Sequence, residues 1–337
     1  MEILVTGAPG WLGSRLVEAL TRGIEGEPPA FAGCQVRCLI APGIDATPVE
    51  RLGAVGVRGD LTDPTTLDQP VRGVELVFHL AGLIHPRKRI NELFAINAEG
   101  TRHLLDAAAA AGVKRFVYVS SNSVGGVNIS RDRLMTEEDP PRPYLAYGRS
   151  KLAAEQAIRT TAERGLMQTV IVRPCWFYGP GQPARQTRFF RMITSGSPII
   201  FGDGRNLRSL SYVDNTVHGL ILAAQRPQAN GQTYWLADER PYPTIEIYET
   251  VARILDVKPF RPRFLPDVTS ATCRLADRLI QAAGLYQTEL HVAGEMNQDI
   301  ACSVEKAKRE LGYQPKVSLE DGMRRSIAWC RQQGMDV

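Results

Sequence analysis

The first half of the chain alternates apolar runs with amphipathic stretches. EILVT (2–6), QVRCLI (35–40), GVRG (near 56), ELVFHL (75–80), KRFVYVSS (114–121) and QTVIVRP (168–174) are apolar nearly throughout. Runs without polar alternation suit strands covered on both faces, as in a parallel sheet. The segments between them read as helices. In TRHLLDAAAAAG (101–112) the alanine run has high helix propensity, and Gly112 is placed to end the helix. This rhythm predicts a doubly wound α/β fold.

After about residue 175 the rhythm breaks. PGQPARQ (180–186), SGSP (195–198) and FGDGRN (201–206) are turn-rich, and only short strand candidates follow. The expected division is a dinucleotide-binding domain over 1–174 and, over 175–337, mainly a smaller, irregular substrate-binding lobe with some segments returning to the sheet. Near the end, SVEKAKRELGY starts at a serine N-cap and stops at Gly312, and SLEDGMRRSIAWC starts with a capping-box-like Ser318 to Asp321 spacing.

Composition changes this picture little. The chain has 337 residues, 44% of them hydrophobic, and a net charge of +4 without long basic blocks. The short PRKR run (86–89) reads as a solvated face, so neither nucleic acid nor a membrane is expected as a partner. MEILVTGAPG passes directly into a strand and a glycine turn, with no signal-peptide pattern. Six cysteines without a CxxC pair and five histidines without a ligand cluster predict no disulfide framework and no metal site. The expectation is a cytoplasmic protein with reduced thiols.

Strand EILVT runs into Gly7-Ala8-Pro9-Gly10-Trp11-Leu12-Gly13 and then into SRLVEALTRG, a helix pattern. Such glycines let the backbone turn tightly and approach a pyrophosphate, which sits on the free N–H groups at the helix start. An acid at the end of the second strand would select NAD by binding the ribose 2′-hydroxyl. Ala41 stands there, with Asp45 beyond a turn. Arg15 and Arg37 are possible 2′-phosphate ligands or ordinary surface arginines, so NAD and NADP both remain open. His79 reads as a satisfied core histidine.

In YLAYGRSKLAAE (144–155), Tyr147 and Lys151 are one helical turn apart and share a face, whereas Tyr144 lies near the helix start. A nearby ammonium favours the phenolate and lowers the tyrosine pKa. Such a tyrosine exchanges a proton with a substrate oxygen while a nicotinamide exchanges a hydride. YVSSNSVGG (118–126) adds hydroxyls at the C-terminal edge of the sheet.

Taken in order, TGAPGWLG, FHLAG, NAEGT, YVSSNSVGG, YGRSK, VRPCWFYGPG and RSLSYVDN resemble the extended short-chain dehydrogenase/reductases. The closest likeness is to the NAD-dependent epimerase/dehydratase group and its hydroxysteroid-dehydrogenase-like relatives. The resemblance implies a Rossmann fold and a catalytic set of Ser121, Tyr147 and Lys151. It implies dinucleotide contacts from Gly7, Gly10, Trp11, Leu12, Gly13, Asp60, Leu61, Leu80, Ala81, Gly82, Asn97, Tyr147, Lys151 and Pro174. It also implies a small-molecule substrate, with a nucleotide sugar as one candidate class, and a homodimer.

Departures narrow the reaction. Where related dehydratases carry an Asp-Glu pair and some epimerases a cysteine, this chain has Asn122-Ser123. The expected chemistry is therefore oxidation and reduction at a single carbinol. The first expectation is a nucleotide-sugar 4-epimerase acting through a transient ketone, with Arg208 on the diphosphate. Trp176 replaces the asparagine that contacts the diphosphate in sugar-nucleotide members, which points instead to an alcohol dehydrogenase or ketone reductase with a flatter, more apolar substrate. Trp176 as plain core packing, Arg208 as a surface arginine, and a non-catalytic dinucleotide-binding protein are the remaining alternatives.

Overall fold

A computed structural model describes residues 1–24 and 27–337. Among the described residues the strands are β1 (Glu2–Thr6), β2 (Gln35–Ile40), β3 (Val55–Arg58), β4 (Leu76–His79), β5 (Arg115–Val119), β6 (Gln168–Pro174), β7 (Trp176–Tyr178), β8 (Ile199–Phe201), β9 (Leu207–Arg208), β10 (Leu210–Tyr212), β11 (Thr233–Leu236), β12 (Tyr242–Pro243) and β13 (Arg263–Leu265). Seven form one parallel sheet, in the order β11-β6-β5-β4-β1-β2-β3. The order reverses beside β1, and in such sheets ligands bind outside the carboxyl ends of the strands at that switch point.

Both faces of the sheet are covered, which is why the strands lack polar alternation. Ile3 and Val5 pack with Leu16, Val17 and Leu20 of the Trp11–Thr21 helix. Leu4, Val77 and Phe116 face the other way, onto Leu104, Leu105 and Ile158. The alanine-rich helix runs over Gly100–Ala110, and Gly112 beyond it adopts a positive φ of 74°.

The six apolar runs of the first half are all strands, whereas TYWL (233–236) joins the sheet from within the turn-rich second half. The remaining strands form three two-stranded ladders, β7 with β10, β8 with β13 and β9 with β12. Around them lies a third cluster that includes Phe190, Ile193, Tyr212, Ile247 and Ile327. Ser318 caps the Leu319–Gln332 helix as its spacing predicts, and Gly312 ends the Glu305–Leu311 helix in the left-handed conformation. The start of that helix differs from expectation: Val304 is the N-cap, and Ser303 receives only the Glu305 N–H, at 3.3 Å.

Candidate active site

The glycine loop is shaped by sterics. Gly7 has φ +85°, and a Cβ there would lie 2.7 Å from the Ala81 nitrogen. A Cβ on Gly10 or Gly13 would meet the Gly7 carbonyl oxygen at 2.6 or 2.5 Å. The loop therefore folds tightly against the end of β4, with the Trp11–Thr21 helix starting directly behind it. This cradle fits a dinucleotide: its free N–H groups and the positive helix end supply an anion site where no side chain intervenes. Leu12 and Gly13 are buried in the first turn.

The end of β4 is locked from two sides. His79 bonds Thr6 Oγ1 at 2.7 Å through Nδ1 and Thr101 Oγ1 at 2.8 Å through Nε2. Burial, and secondarily the charge of Lys151, lower its pKa to about 3, so it is a neutral structural residue. Thr6 Oγ1 also receives the Ala81 N–H, and the Leu80 N–H reaches the Thr6 carbonyl. Asn97 sits on a π-helical turn over Phe94–Glu99, an irregularity frequent at functional sites. Its side chain accepts from the Leu83 N–H at 2.7 Å and donates to the Leu83 carbonyl at 2.8 Å and to Ser150 Oγ at 3.0 Å. It thereby ties the 82–83 loop to the helix that carries Tyr147. A Cβ on Gly82 would approach Asn97 Oδ1 at 3.2 Å and Lys151 Nζ at 3.7 Å, so the glycine lets the 82–83 loop pass close to both side chains.

The helix Leu145–Glu163 presents Tyr147, Lys151 and Glu155 on one face. Lys151 is buried, donates to the Val119 carbonyl at 2.8 Å and lies 4.3 Å from the Tyr118 ring centre. Burial lowers its pKa to about 7, against the opposing pull of Glu155. Burial pushes Tyr147 up to about 12, and a hydrogen bond with Ser121 works the other way. The lysine-driven lowering expected from the sequence does not act on Tyr147: Lys151 is directed at the Val119 carbonyl and the Tyr118 ring, and desolvation dominates. Ser121 adopts an extended conformation and caps the short turn Asn122–Val124, receiving both the N–H and the hydroxyl of Ser123, at 3.2 and 3.0 Å.

Two supports of this helix escaped the sequence reading. Glu155, fully buried, receives Arg173 Nε at 2.8 Å and Nη2 at 2.6 Å together with the Ser120 hydroxyl at 2.6 Å. Its place in Y-x3-K-x3-E, one turn beyond the lysine, was the available signal. At the other end, Gln281 accepts the Ala146 N–H at 3.0 Å and donates to Asp277, which holds His291 at 2.8 Å. No local pattern announces a contact 135 residues away. Leu145, between Tyr144 and Ala146, has a φ of +50°, a strained conformation of the kind found at functional sites. Tyr144 packs near the ring of His291, 5.3 Å between centres, as a wall residue.

Around the dinucleotide cradle, Asp60 spends Oδ1 on Thr62 N–H and Oγ1, both at 2.8 Å, and the Leu61 carbonyl bonds His103. Pro174 is buried in register with Leu236. Trp11 donates to the Pro180 carbonyl at 2.6 Å, bracing the glycine loop against the lobe. Neither arginine considered from sequence is placed for a 2′-phosphate. Arg15 grips Asp214 at 2.5 and 2.9 Å, and Arg37 pairs with Glu2 at the opposite edge of the sheet. Arg58, overlooked in the sequence, ends β3 in register with Ile40 and donates to the carbonyls of Ala41 (3.3 Å) and Ile44 (2.6 Å).

Of the two residues expected at the substrate, Trp176 is 44% exposed and meets Phe189 edge-on, which excludes the core-packing reading. Arg208 donates to the Glu295 carbonyl at 3.0 Å, at the C-terminal end of the Thr288–Glu295 helix, with the charges of Glu295 and Asp299 nearby. His85 bonds the Tyr286 hydroxyl at 3.1 Å beside these residues.

Residues 3–237 match the model of the NAD dependent epimerase/dehydratase family. An uncharacterised protein of Sinorhizobium fredii, y4nL, is 44% identical, with 98% of this chain and 96% of that one covered. A 4-hydroxy-2-methyl-3-oxo-4-farnesyl-3,4-dihydroquinoline-1-oxide ketoreductase of Stigmatella aurantiaca is 29% identical (96% and 95%), and a UDP-glucose 4-epimerase of Vibrio cholerae 26% (96% and 94%). Among solved structures, the dTDP-glucose 4,6-dehydratase DesIV of Streptomyces venezuelae with NAD bound superposes with a TM-score of 0.77 at 25% identity, covering 98% of this chain and 97% of that one.

Proposed function

Since the chain belongs to the NAD-dependent epimerase/dehydratase family, we propose that it carries out net NADP(H)-dependent reduction of a ketone, or oxidation of the matching alcohol, at a single carbinol of an apolar substrate. The carrying observation is the state of Arg208. Its charge is directed to a helix C-terminus beside Glu295 and Asp299, so a diphosphate would meet carboxylates as well as the guanidinium. Exposed Trp176 against Phe189 offers a flat apolar wall at the same place.

The chemistry follows from the side chains. Bound nicotinamide supplies the hydride, two electrons delivered to the carbonyl carbon. Tyr147, held protonated by burial, donates its proton to the oxygen as the C=O π bond becomes a C–O single bond. Ser121 positions that oxygen. Lys151, titrating near neutrality, returns positive charge to the site as the phenolate forms. Asn122 and Ser123, following Ser121, stand where dehydration needs a second acid and base, and neither side chain can serve as one.

The preference for NADP(H) rests on the end of β2. Ala41 brings no carboxylate, and Asp45 spends Oδ1 on Thr47 N–H and Oγ1. Arg58 instead brings a guanidinium to this turn, suited to a 2′-phosphate. Epimerisation of a nucleotide sugar, the first expectation from sequence, keeps the Ser/Tyr/Lys set and is the second reading.

Purified protein is to be incubated with apolar ketones and with UDP-, GDP- and dTDP-hexoses, following reduced-nicotinamide absorbance and sugar epimers. Net cofactor consumption on a ketone is expected; epimer formation without net consumption would overturn the reading. In equilibrium titrations followed by nucleotide fluorescence, Arg58→Ala should weaken NADPH roughly ten- to a hundredfold, the worth of one charge-assisted hydrogen bond. NADH binding should be unchanged, and equal effects on both nucleotides would contradict the cofactor assignment.

A further inference from the structure

The helix Asp267–Ala282 is inverted. Its buried stripe is polar: Ser270, Asp277 and Gln281 are buried, and Arg274 between them donates to the Gly294 carbonyl at 3.0 Å. On the opposite side of the helix stand Val268, Leu275 and Leu279, with 67%, 59% and 64% of their surfaces exposed. A surface helix normally turns its apolar stripe to the core, so this stripe is available to something outside the chain.

The fold adds charge beside it. Directly after the helix, the segment around Leu285, itself 49% exposed, pairs with the basic run: the Ile90 N–H bonds the Gly284 carbonyl, and the Tyr286 N–H bonds the Lys88 carbonyl, both at 3.1 Å. Arg87, Lys88 and Arg89 are exposed there, and Arg278 is exposed on the helix. Of the nearby acids, Glu92 accepts the backbone N–H groups of residues 87 to 89 at 3.3 to 3.5 Å, and exposed Glu289 accepts from the Gln287 side chain. Exposed Asp267, beside Val268, accepts from the Asn297 side chain at 2.9 Å; Arg87, Lys88, Arg89 and Arg278 thus face Glu92, Asp267 and Glu289, with the basic charge gathered beside Leu285.

We propose that this face docks on an anionic lipid bilayer, with Val268, Leu275, Leu279 and Leu285 entering the headgroup boundary and the 87–89 run meeting lipid phosphates. Apolar area beside basic residues is the pattern that binds such interfaces. In a two-fold dimer the same patch meets itself, which would set the basic run against its own copy. Among the described residues no helix is long and apolar enough to cross a membrane, so the attachment is peripheral. The surface adjoins the site, because Tyr286 follows Leu285 and bonds His85. The PRKR run, expected from sequence to be a solvated face without a membrane partner, acquires this role only through its pairing with residues 284–286.

The test is flotation of the full chain with vesicles of phosphatidylcholine alone or with phosphatidylglycerol added. Binding to the anionic vesicles, weakened by salt, is expected. The double variant Leu275→Asp/Leu279→Asp and the triple variant Arg87→Glu/Lys88→Glu/Arg89→Glu should each lower it more than tenfold, since one basic residue at such a surface contributes roughly fivefold. Thermal unfolding of each variant confirms that it is folded; should the leucine variant unfold, the charge variant carries the test. No binding to either vesicle, binding indifferent to both variants, or a stable dimer abolished by the leucine variant would overturn the proposal.

Discussion

The helix that carries Tyr147 is held at its two ends in different ways. Toward its C-terminal half, Glu155 is clamped by Arg173 and Ser120, next to the end of β6. At its start, the Ala146 N–H and a left-handed Leu145 depend on Gln281, from a lobe helix whose own outer face is apolar and exposed. The first anchor belongs to a sheet buried on both faces. The second belongs to a chain of side-chain contacts, Gln281 to Asp277 to His291, between two lobe helices. The difference teaches that Tyr147, the proposed proton donor, is positioned rigidly along the sheet and conditionally at the lobe, where a bound molecule or a surface can act on it.

This contrast can be broken at either anchor. Glu155→Gln leaves Arg173 buried with a weakened partner, and removing one member of a buried ion pair costs roughly 3–5 kcal/mol. Chemical denaturation should show a loss of that order for the whole sheet domain. Gln281→Leu orphans the Ala146 N–H and one Asp277 contact, a cost of about 1–3 kcal/mol. Hydrogen exchange should localise it to residues 144–147 and 267–295 and leave β1 to β6 protected, while kcat falls more than cofactor affinity; loss of protection across the whole sheet would abolish the distinction between the anchors.

The third effect is acid sensitivity at His79, which accumulates only gradually with pH. Its folded pKa lies at about 3 against an ordinary 6.5, so between those values the unfolded chain binds more protons. Stability therefore falls as pH drops through 6.5 and continues to fall toward 3, by about 1.4 kcal/mol per pH unit. His79→Gln should flatten that slope in thermal unfolding between pH 6 and 4; an unchanged slope would place the acid sensitivity elsewhere.

What the sequence disclosed follows the same contrast. β1 to β6, the glycine turn and the Tyr147–Lys151 spacing were legible because each is a local pattern whose period or close approach fixes the residue types. A return of some second-half segment to the sheet is expected, but β11 cannot be singled out, because four residues, TYWL, carry no periodicity of their own and join the sheet through β6. The approach of Arg58 to the turn after β2 is not legible in the sequence because the residue lies on the third strand, nor does the sequence show that Asp214 and Glu2 already hold Arg15 and Arg37. The inversion of the helix at 267–282 is not legible in the sequence, since periodicity gives the stripe but not the side that faces the core.

The most direct measurement is isotope transfer. Protein, NADPH deuterated at the hydride position and an apolar ketone are to be reacted, and the product analysed by mass spectrometry. The account predicts one deuterium on the new carbinol carbon, with transfer reduced roughly a hundred- to ten-thousandfold in Tyr147→Phe while NADPH binding is retained. No deuterium in any ketone product, alongside epimer formation from a nucleotide sugar, would contradict it.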